Sequence, residues 1–585
     1  MHRRTFLSIL PATAAALPAP TAPPGQDDRA ERLTAGPSPA LAINHLGFLP
    51  QARKTVIYRV SGPGAPAEFT LRDIGSQPKP PALTRPLTRG ASDLGECLVG
   101  DLSDITRPGM YQVAAGAELS VPFFIRAGVW RRTLPQAVAY IHAQRCGAAV
   151  PNLHPACHLD DARLRDNGRH IDTTGGWHDA GDLRKWMSAT MLNGLALLSL
   201  ARNLGQKWDP AGAGLAPLLD EARWGNRYFL KMQDRDGLVW NDVAGGVNGD
   251  NTDNHWTDNL SGTADDRYLN PAKPNRVQSL FTTLQAMMAQ AFRAVDPTYS
   301  ATCLAAALRC WNAATRFGST GDLASWALAA LELHRATARH EFRDFAVNFG
   351  LQLASLQQTE FSGDQKKVRG WWRASGNNPA PYADPVHSTL PAIALLELAA
   401  AYPRAPEAAD WRDAVRLHLD EYALPLAARS AYRIVPYGIF TGSPTPELYR
   451  PLAGQLTYRY FMPVRKQDWW LGMTSHLAGY AVLAALAWRA FDLPDFRHLA
   501  YRQLEWIMGA NPFGACLMTG EGMRNPYPHS RFVGLIPGGI LNGIAGNLRD
   551  EPILDTLNGF DWRTTEYWSP HNAHYIWALS ILENV

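Results

Sequence analysis

The chain has 585 residues, 46% hydrophobic and 19% charged, with 19 tryptophans and a formal net charge of +3. That length exceeds what one core serves and implies two or more domains, while the composition excludes a disordered chain. The charges are scattered, with no basic block or interleaved basic–aromatic stripe, which excludes nucleic acid as a partner.

Residues 1–40 read as an export signal and a linker. MHRRTFLSILPATAAALPAP has a charged start, a short apolar run and small residues suited to cleavage. Arg3-Arg4 followed by Thr-Phe-Leu has the twin-arginine pattern, so a periplasmic or secreted location is expected. The apolar run is too short and too broken by proline to span a bilayer, and no other stretch reads as a membrane span. Residues 20–40 are rich in Pro, Ala and Gly and read as a tether.

Residues 41–126 read as short strands. KTVIYRV, AEFTLRDI, GECLVGDL, GMYQVAAG and SVPFFIRA are β-rich runs separated by Gly/Pro turns, and several alternate apolar and polar residues. Strands so spaced over fewer than a hundred residues suggest a small β-sandwich. The six cysteines do not form the dense pattern of a disulfide framework.

From residue 134 to 585 the texture is helical. Leu280, Phe281, Leu284, Met287, Met288, Ala291 and Phe292 share one face. Comparable segments near 134–145, 183–204, 214–233, 299–317, 321–338, 341–358, 386–402, 409–427, 476–491, 495–509 and 571–583 make about twelve helices. Helices alternating with long Gly/Trp-rich loops suggest an α/α toroid whose loops build a cleft at one end. A plain bundle or solenoid fits the same pattern.

GGWHDAGD, residues 175–182, holds Asp179 and Asp182 among glycines. A tight turn there can aim both carboxylates into one cavity, where one takes a proton from a bound water and the other holds its position. The alternative is an Asx turn or a helix N-cap, with Asp182 capping a helix that starts near Leu183. Glu566, in TEYWSPHNAHYIWAL, sits beside Tyr567 and Trp568, an apolar setting that can keep a carboxyl protonated. Its alternative is a surface glutamate at a helix entry.

Four segments in order carry a resemblance: INHLGFLPQARKTVIY, GGWHDAGDLRKW, IMGANPFGACLMTGEGMRNPYPHSRF and TEYWSPHNAHYIWAL. Together they resemble glycoside hydrolase family 9, the inverting cellulases, in the subgroup with an N-terminal immunoglobulin-like domain. The resemblance implies an immunoglobulin-like sandwich over 41–126 and an (α/α)6-barrel catalytic domain over 134–585. It makes Asp182 the general base, Asp179 its partner in holding water, and Glu566 the general acid. His529 and Arg531 would contact the sugar. Inversion sets acid and base about 6.5–9.5 Å apart on opposite faces of the sugar. The sequence departs from the family at Ser530, where a second histidine is usual, and at Thr565, where Asn usually precedes the acid. Asp561, in GFDWRTTE, is a candidate for the acidic position that normally precedes the acid.

Cys146, Cys157, His158 and His178 form a Cys₂His₂ set suited to tetrahedral zinc. The spacing matches no finger motif, and two buried cysteines with two ordinary histidines read equally well from spacing alone. The resemblance implies a closed structural zinc that stiffens the loop carrying the base. It also allows calcium, with ligands unknown: Asp250 and Asp253 are as good turn residues as ligands. Among Trp240, His255, Trp256, Trp371, Trp372, Tyr382, Trp469 and Trp470, about half are expected to stack on sugar, with Trp256 beside His255 foremost.

The expected activity is hydrolysis of β-1,4-glucosidic bonds in cellulose, cellodextrins or related β-glucans, of endoglucanase or cellodextrinase type. The alternatives are an exo-acting β-glucosaminidase, a hydrolase of a decorated β-glucan, and a carbohydrate-binding protein without catalysis. Oligomeric state is not written in the sequence.

Overall fold

The computed structural model describes residues 38–583 apart from 206–214, 247–256, 317, 362–367, 443–444, 465–469 and 531–533. Ten short strands occupy the N-terminal part: β1 Leu41–Ala42, β2 Gly47–Phe48, β3 Thr55–Arg59, β4 Glu68–Asp73, β5 Leu83–Pro86, β6 Thr88–Arg89, β7 Cys97–Asp101, β8 Gly109–Ala115, β9 Glu118–Leu119 and β10 Phe123–Ile125. They form two sheets, β1-β3-β7-β6 and β2-β10-β8-β4-β5 with β9 paired to β8. Phe69 and Leu71 of β4, Tyr111 and Val113 of β8, and Val56 of β3 point into the sandwich core, as period-two alternation requires. β3 is buried on both faces: Val56 joins that core, while the next residue, Ile57, joins the core of the helical region.

His45 locks the two parts together. Its N–H donates to the Met508 carbonyl at 2.8 Å and its Nδ1 accepts from the Met523 N–H at 3.2 Å. A Cβ at Gly509 would meet the His45 ring at 2.5 Å, so glycine is required for this close approach.

Twelve helices of ten or more residues follow among the described residues. They are α1 Leu134–Ala143, α2 Met187–Leu204, α3 Ala216–Lys231, α4 Asn275–Phe292, α5 Pro297–Ala313, α6 Thr320–Thr337, α7 His340–Ser355, α8 Leu390–Ala401, α9 Ala408–His418, α10 Thr474–Phe491, α11 Pro494–Ile507 and α12 Ser569–Leu582. Six of them close a ring: α2 packs on α4, α4 on α6, α6 on α8, α8 on α10, α10 on α12, and α12 back on α2. Each has an outer partner, α3, α5, α7, α9, α11 and α1 respectively. The sequence explains the division. Inner helices such as α8, LPAIALLELAAA, are buried almost all round. Outer helices such as α3 bury one stripe, including Leu218, Ala222 and Phe229, and leave the other face polar. This is an (α/α)6 barrel, as expected.

Two details differ from the expected helices. The segment 409–427 is interrupted by a π turn at Leu419–Ala423. The segment expected from 183 begins only at Met187, because Leu183 sits at φ +67° and Lys185–Trp186 form a strand. That strand (β12) joins β11 Arg163–Leu164, β13 Asp242–Ala244 and β14 Tyr268–Asn270 in a small sheet of order β11-β14-β13-β12. No helix among the described residues is long and apolar enough to cross a membrane.

Candidate active site and metal centre

The site forms where the ring closes. The loop before α2 carries Asp179 and Asp182, and the segment before α12 carries Glu566. The two stretches are joined by backbone: Ala180 bridges Trp568, and the Ser569 N–H donates to the Asp179 carbonyl at 2.7 Å. The segment around His529 lies against both. His529 bridges Glu566, with its N–H on the Thr565 carbonyl at 3.0 Å. A Cβ at Gly181 would collide with the His529 carbonyl oxygen and meet Ser530 Cα at 3.1 Å. The interior glycine of the motif is therefore what lets these loops touch.

Asp179, Asp182 and Glu566 line one cleft of about 420 Å³, together with Arg184, His529, Asn542 and the rings of Trp186, Trp562 and Trp568. Asp179 is 2% exposed. Its Oδ1 accepts from the Trp186 N–H at 3.0 Å and its Oδ2 from the Trp568 indole N–H at 2.9 Å. Burial, then the charge of Asp182, pushes the Asp179 carboxyl well above the usual carboxylate range. Asp182 is partly exposed, and its Oδ1 accepts from the Arg184 N–H at 3.2 Å in an Asx-type turn. It caps no helix; α2 starts five residues later. The Arg184 guanidinium is held by the fully buried Asp242 at 2.7 and 2.9 Å and lies 4.7 Å from the Trp186 ring centroid.

Glu566 is 8% exposed at the end of the short helical turn Trp562–Thr565, and its carbonyl accepts from the Asn542 N–H at 2.7 Å. The Asn542 amide is itself fixed, donating to the Trp562 carbonyl at 2.7 Å and facing His571 Nε2 at 2.7 Å. His529 Nδ1 lies 2.8 Å from the Gly559 carbonyl, which only accepts, so Nδ1 carries the proton. Ser530 accepts from the Tyr567 hydroxyl at 2.7 Å. Asp561 caps the Trp562–Thr565 turn, and burial raises its carboxyl.

Arg531, His255, Trp256, Trp469, Asp250 and Asp253 lie outside the described residues. The other aromatic candidates fall on the core side of that expectation: Tyr382 is partly buried against the main core and lines no part of this cleft. Trp240, Trp371, Trp372 and Trp470 are all buried in the main core and contribute no wall to this cleft. Trp372 donates to the Leu353 carbonyl at 3.0 Å, a structural bond beneath the loop. The rings that do line the cleft are Trp186, Trp562 and Trp568. Trp186 ends the GGWHDAGDLRKW segment, and its signal was position beside the aspartates rather than loop composition.

One turn upstream of Asp179 lies a second constellation. Among the described residues, Cys146, Cys157, His158 and His178 bring four donor atoms within 4.8 Å of one another, all buried. Cys146 Sγ is 3.8 Å from His158 Nδ1, and Cys157 Sγ is 3.8 Å from His178 Nε2. No disulfide joins the cysteines. A hydrogen bond with Cys146 draws the Cys157 thiol down to about 5 against burial, and burial holds His178 down to about 4. Thiolate and neutral imidazole are the forms that bind metal. The four residues could hold a metal in a closed tetrahedral set. The backbone draws them together: the Cys146 N–H donates to the Gly176 carbonyl at 2.9 Å, and the Gly147 N–H to the Cys157 carbonyl at 3.0 Å.

The family model for glycosyl hydrolase family 9 matches residues 130–537. Among relatives, the cellulose 1,4-beta-cellobiosidase of Acetivibrio thermocellus is 26% identical over 384 residues, 53% of this chain and 42% of that protein. Endoglucanase D of the same organism is 26% identical over 332 residues, 48% of this chain and 51% of that protein. The chain spans about half the length of the relatives it matches. A metagenome-derived glycoside hydrolase family 9 endoglucanase shares the fold with a TM-score of 0.69 at 20% identity, over 93% of this chain and 99% of that one. A Zn-binding triple mutant of the family 9 endoglucanase J30 does so with a TM-score of 0.68 at 24% identity, over 91% and 99%. With most of its length matched by the family model, the chain belongs to glycosyl hydrolase family 9.

Proposed function

We propose that the chain is an inverting glycoside hydrolase that cleaves β-1,4-glucosidic bonds in cellulose, cellodextrins or related β-glucans. The observation that carries this reading is the meeting of Asp182, Asp179 and Glu566 on one aromatic-lined cleft. Asp182 is the general base. Asp179, buried and pushed toward its neutral form, keeps the pair to one negative charge, and Arg184 beside them holds that charge in place. Water bound at Asp182 attacks the anomeric carbon and gives its proton to the carboxylate. Glu566 gives a proton to the departing glycosidic oxygen, and the anomeric configuration inverts. Trp186, Trp562 and Trp568 offer flat faces to the C–H surfaces of the sugar, and His529 Nε2 is left for a hydroxyl.

The Cys146–Cys157–His158–His178 set holds a structural zinc in this reading. Bound there, the metal supplies a cross-link and no open coordination position. His178 adjoins Asp179, so the cross-link fixes the loop that carries the base. The signal-like residues 1–40 belong to a chain exported by a twin-arginine route, with the sandwich over 41–126 and the catalytic barrel over 134–585.

The test is product analysis on cellodextrins, barley glucan and chitosan oligomers, with NMR reading of the first anomer released. Asp182→Asn and Glu566→Gln should each lower kcat by about 10³-fold or more while cellobiose binding persists. Unchanged turnover in either variant, or retention of configuration, would overturn the assignment.

A further inference from the structure

The ring of inner helices encloses a second cavity, of about 290 Å³, separate from the catalytic cleft. All six inner helices contribute to its wall. It runs beside α8 from Leu390 to Ala400, a length of roughly 15 Å at the helical rise per residue. The catalytic carboxylates precede the N-terminal ends of α2 and α12, whereas this cavity opens among the C-terminal ends of α2, α6, α8 and α10. It therefore faces the opposite end of the barrel.

The chemistry of its wall is divided. Along its length stand Leu192, Leu280, Met287, Leu328, Ile393 and Trp577. Leu328 and Trp577 stay partly exposed within the enclosed space. The rim is ionic. Arg202 forks onto Glu332 with two bonds of 2.9 Å, and Arg335 reaches Glu397 at 3.3 Å. Arg489 is the least engaged: its Nη1 donates to Asn203 at 3.2 Å and its Nη2 stands 3.9 Å from Glu397. Three guanidinium groups thus face two carboxylates, which leaves one positive charge over at the mouth of a channel whose wall is mainly apolar but also holds Ser199, Thr283, Ser325, Thr389, His387 and His574.

From this we infer that the barrel axis binds a linear anionic amphiphile, a free carboxylate with an alkyl tail: the tail lies in the channel and the head group meets Arg489. A single extended chain of about eight carbons fits a cavity of about 290 Å³ bounded by all six inner helices, and burying its methylenes against the leucines removes apolar surface from water. The head group replaces the distant Glu397 contact with a charge-assisted hydrogen bond. The site is independent of the hydrolytic assignment.

Isothermal titration of the full-length protein with octanoate below its micelle concentration tests this. Acetate serves as the head-only probe and octyltrimethylammonium as the tail with reversed charge. The expected result is one octanoate per chain, bound at least tenfold more tightly than either probe and undiminished by saturating cellobiose. Arg489→Gln, a substitution at a half-exposed position, should weaken octanoate at least fivefold and leave hydrolysis unchanged. Leu328→Trp should fill the channel and abolish binding; if it fails to fold, the probe series and Arg489→Gln still decide. Octanoate binding no tighter than acetate, equal binding of the cationic probe, displacement by cellobiose, or unchanged affinity in Arg489→Gln would each overturn the inference.

Discussion

Replacing Gly181 by alanine puts a methyl group where the His529 carbonyl oxygen now lies. Carbon and oxygen settle at about 3.5 Å, so the two loops must separate by roughly 1 Å. The surroundings give little room. The aspartate loop is tied to Trp568 through the Ala180 bridge, and the His529 strand is tied to Glu566 through its own bridge. The displacement therefore moves Asp182 relative to Glu566 instead of dissipating at the surface. Overpacking of this kind costs about 1–3 kcal/mol of stability, and a 1 Å misplacement of reacting groups costs about 10²-fold in rate. Gly181→Ala should thus remain folded, with kcat on cellopentaose about 10²-fold lower and KM changed far less. Stopped time-course assays with chromatography of products read the rate, and differential scanning calorimetry reads the fold. A folded variant with kcat within threefold of the parent would refute the account of how these loops set the site.

Trp568→Phe removes one of the hydrogen bonds that favour charged Asp179. The Asp179 carboxyl should rise further, so loss of the pair's second proton moves to higher pH while the acid limb of the kcat/KM profile stays in place; an acid limb that moves up with it would count against a pair that works with one charge. Elemental analysis of protein purified without chelator should give one zinc per chain, and Cys157→Ser should lower stability by about 4 kcal/mol; metal-free protein of full stability would exclude the structural zinc. Burial alone would raise the Glu332 carboxyl, but the Arg202 fork and Arg335 outweigh it and hold it at about 2 against an ordinary 4.5. Its folded value is depressed, so the stability it adds is present above about pH 4.5 and is lost as pH falls through 2. That loss is about 3 kcal/mol, and acid-unfolding curves of Glu332→Gln should lack it.

The helices were legible in the sequence from their apolar periodicity, as on α4, but their closure into a ring rested on the resemblance, because inner helices such as α4 and α12 also bury polar residues and a plain bundle fits the same pattern. The principal strands were legible from their alternation. The short polar strands Leu83–Pro86 and Thr88–Arg89 gave no such signal, since both are largely exposed and owe their conformation to their neighbours. The late start of α2 was hidden for a related reason. Leu183 adopts a left-handed backbone only because the turn from Asp182 to Arg184 and the pairing of Lys185–Trp186 with Asp242–Val243 hold it there. Asp179 and Asp182 stood out from their spacing in a glycine-rich motif, whereas Glu566 and the Cys/His ligand set rested on the family resemblance; the three carboxylates share one cleft and the four Cys/His donors one cluster. The tryptophans were not legible: composition cannot separate a ring that roofs a core from one that floors a cleft. Trp371 and Trp372 read as loop residues, yet their loop folds inward over α7.

The closing contact of the ring, between α2 and α12, joins the earliest and the latest inner helices of the chain. A growing polypeptide therefore cannot bring Asp179, Asp182 and Glu566 into one cleft before α12 is made. Until the segment before α12 docks, the aspartate loop lacks both the Trp568 indole that clasps it and the Glu566 carboxyl that shares its cleft. Under the proposed function, a product truncated before α12 would be inert toward polysaccharide, and competence would arrive in a single step with that helix.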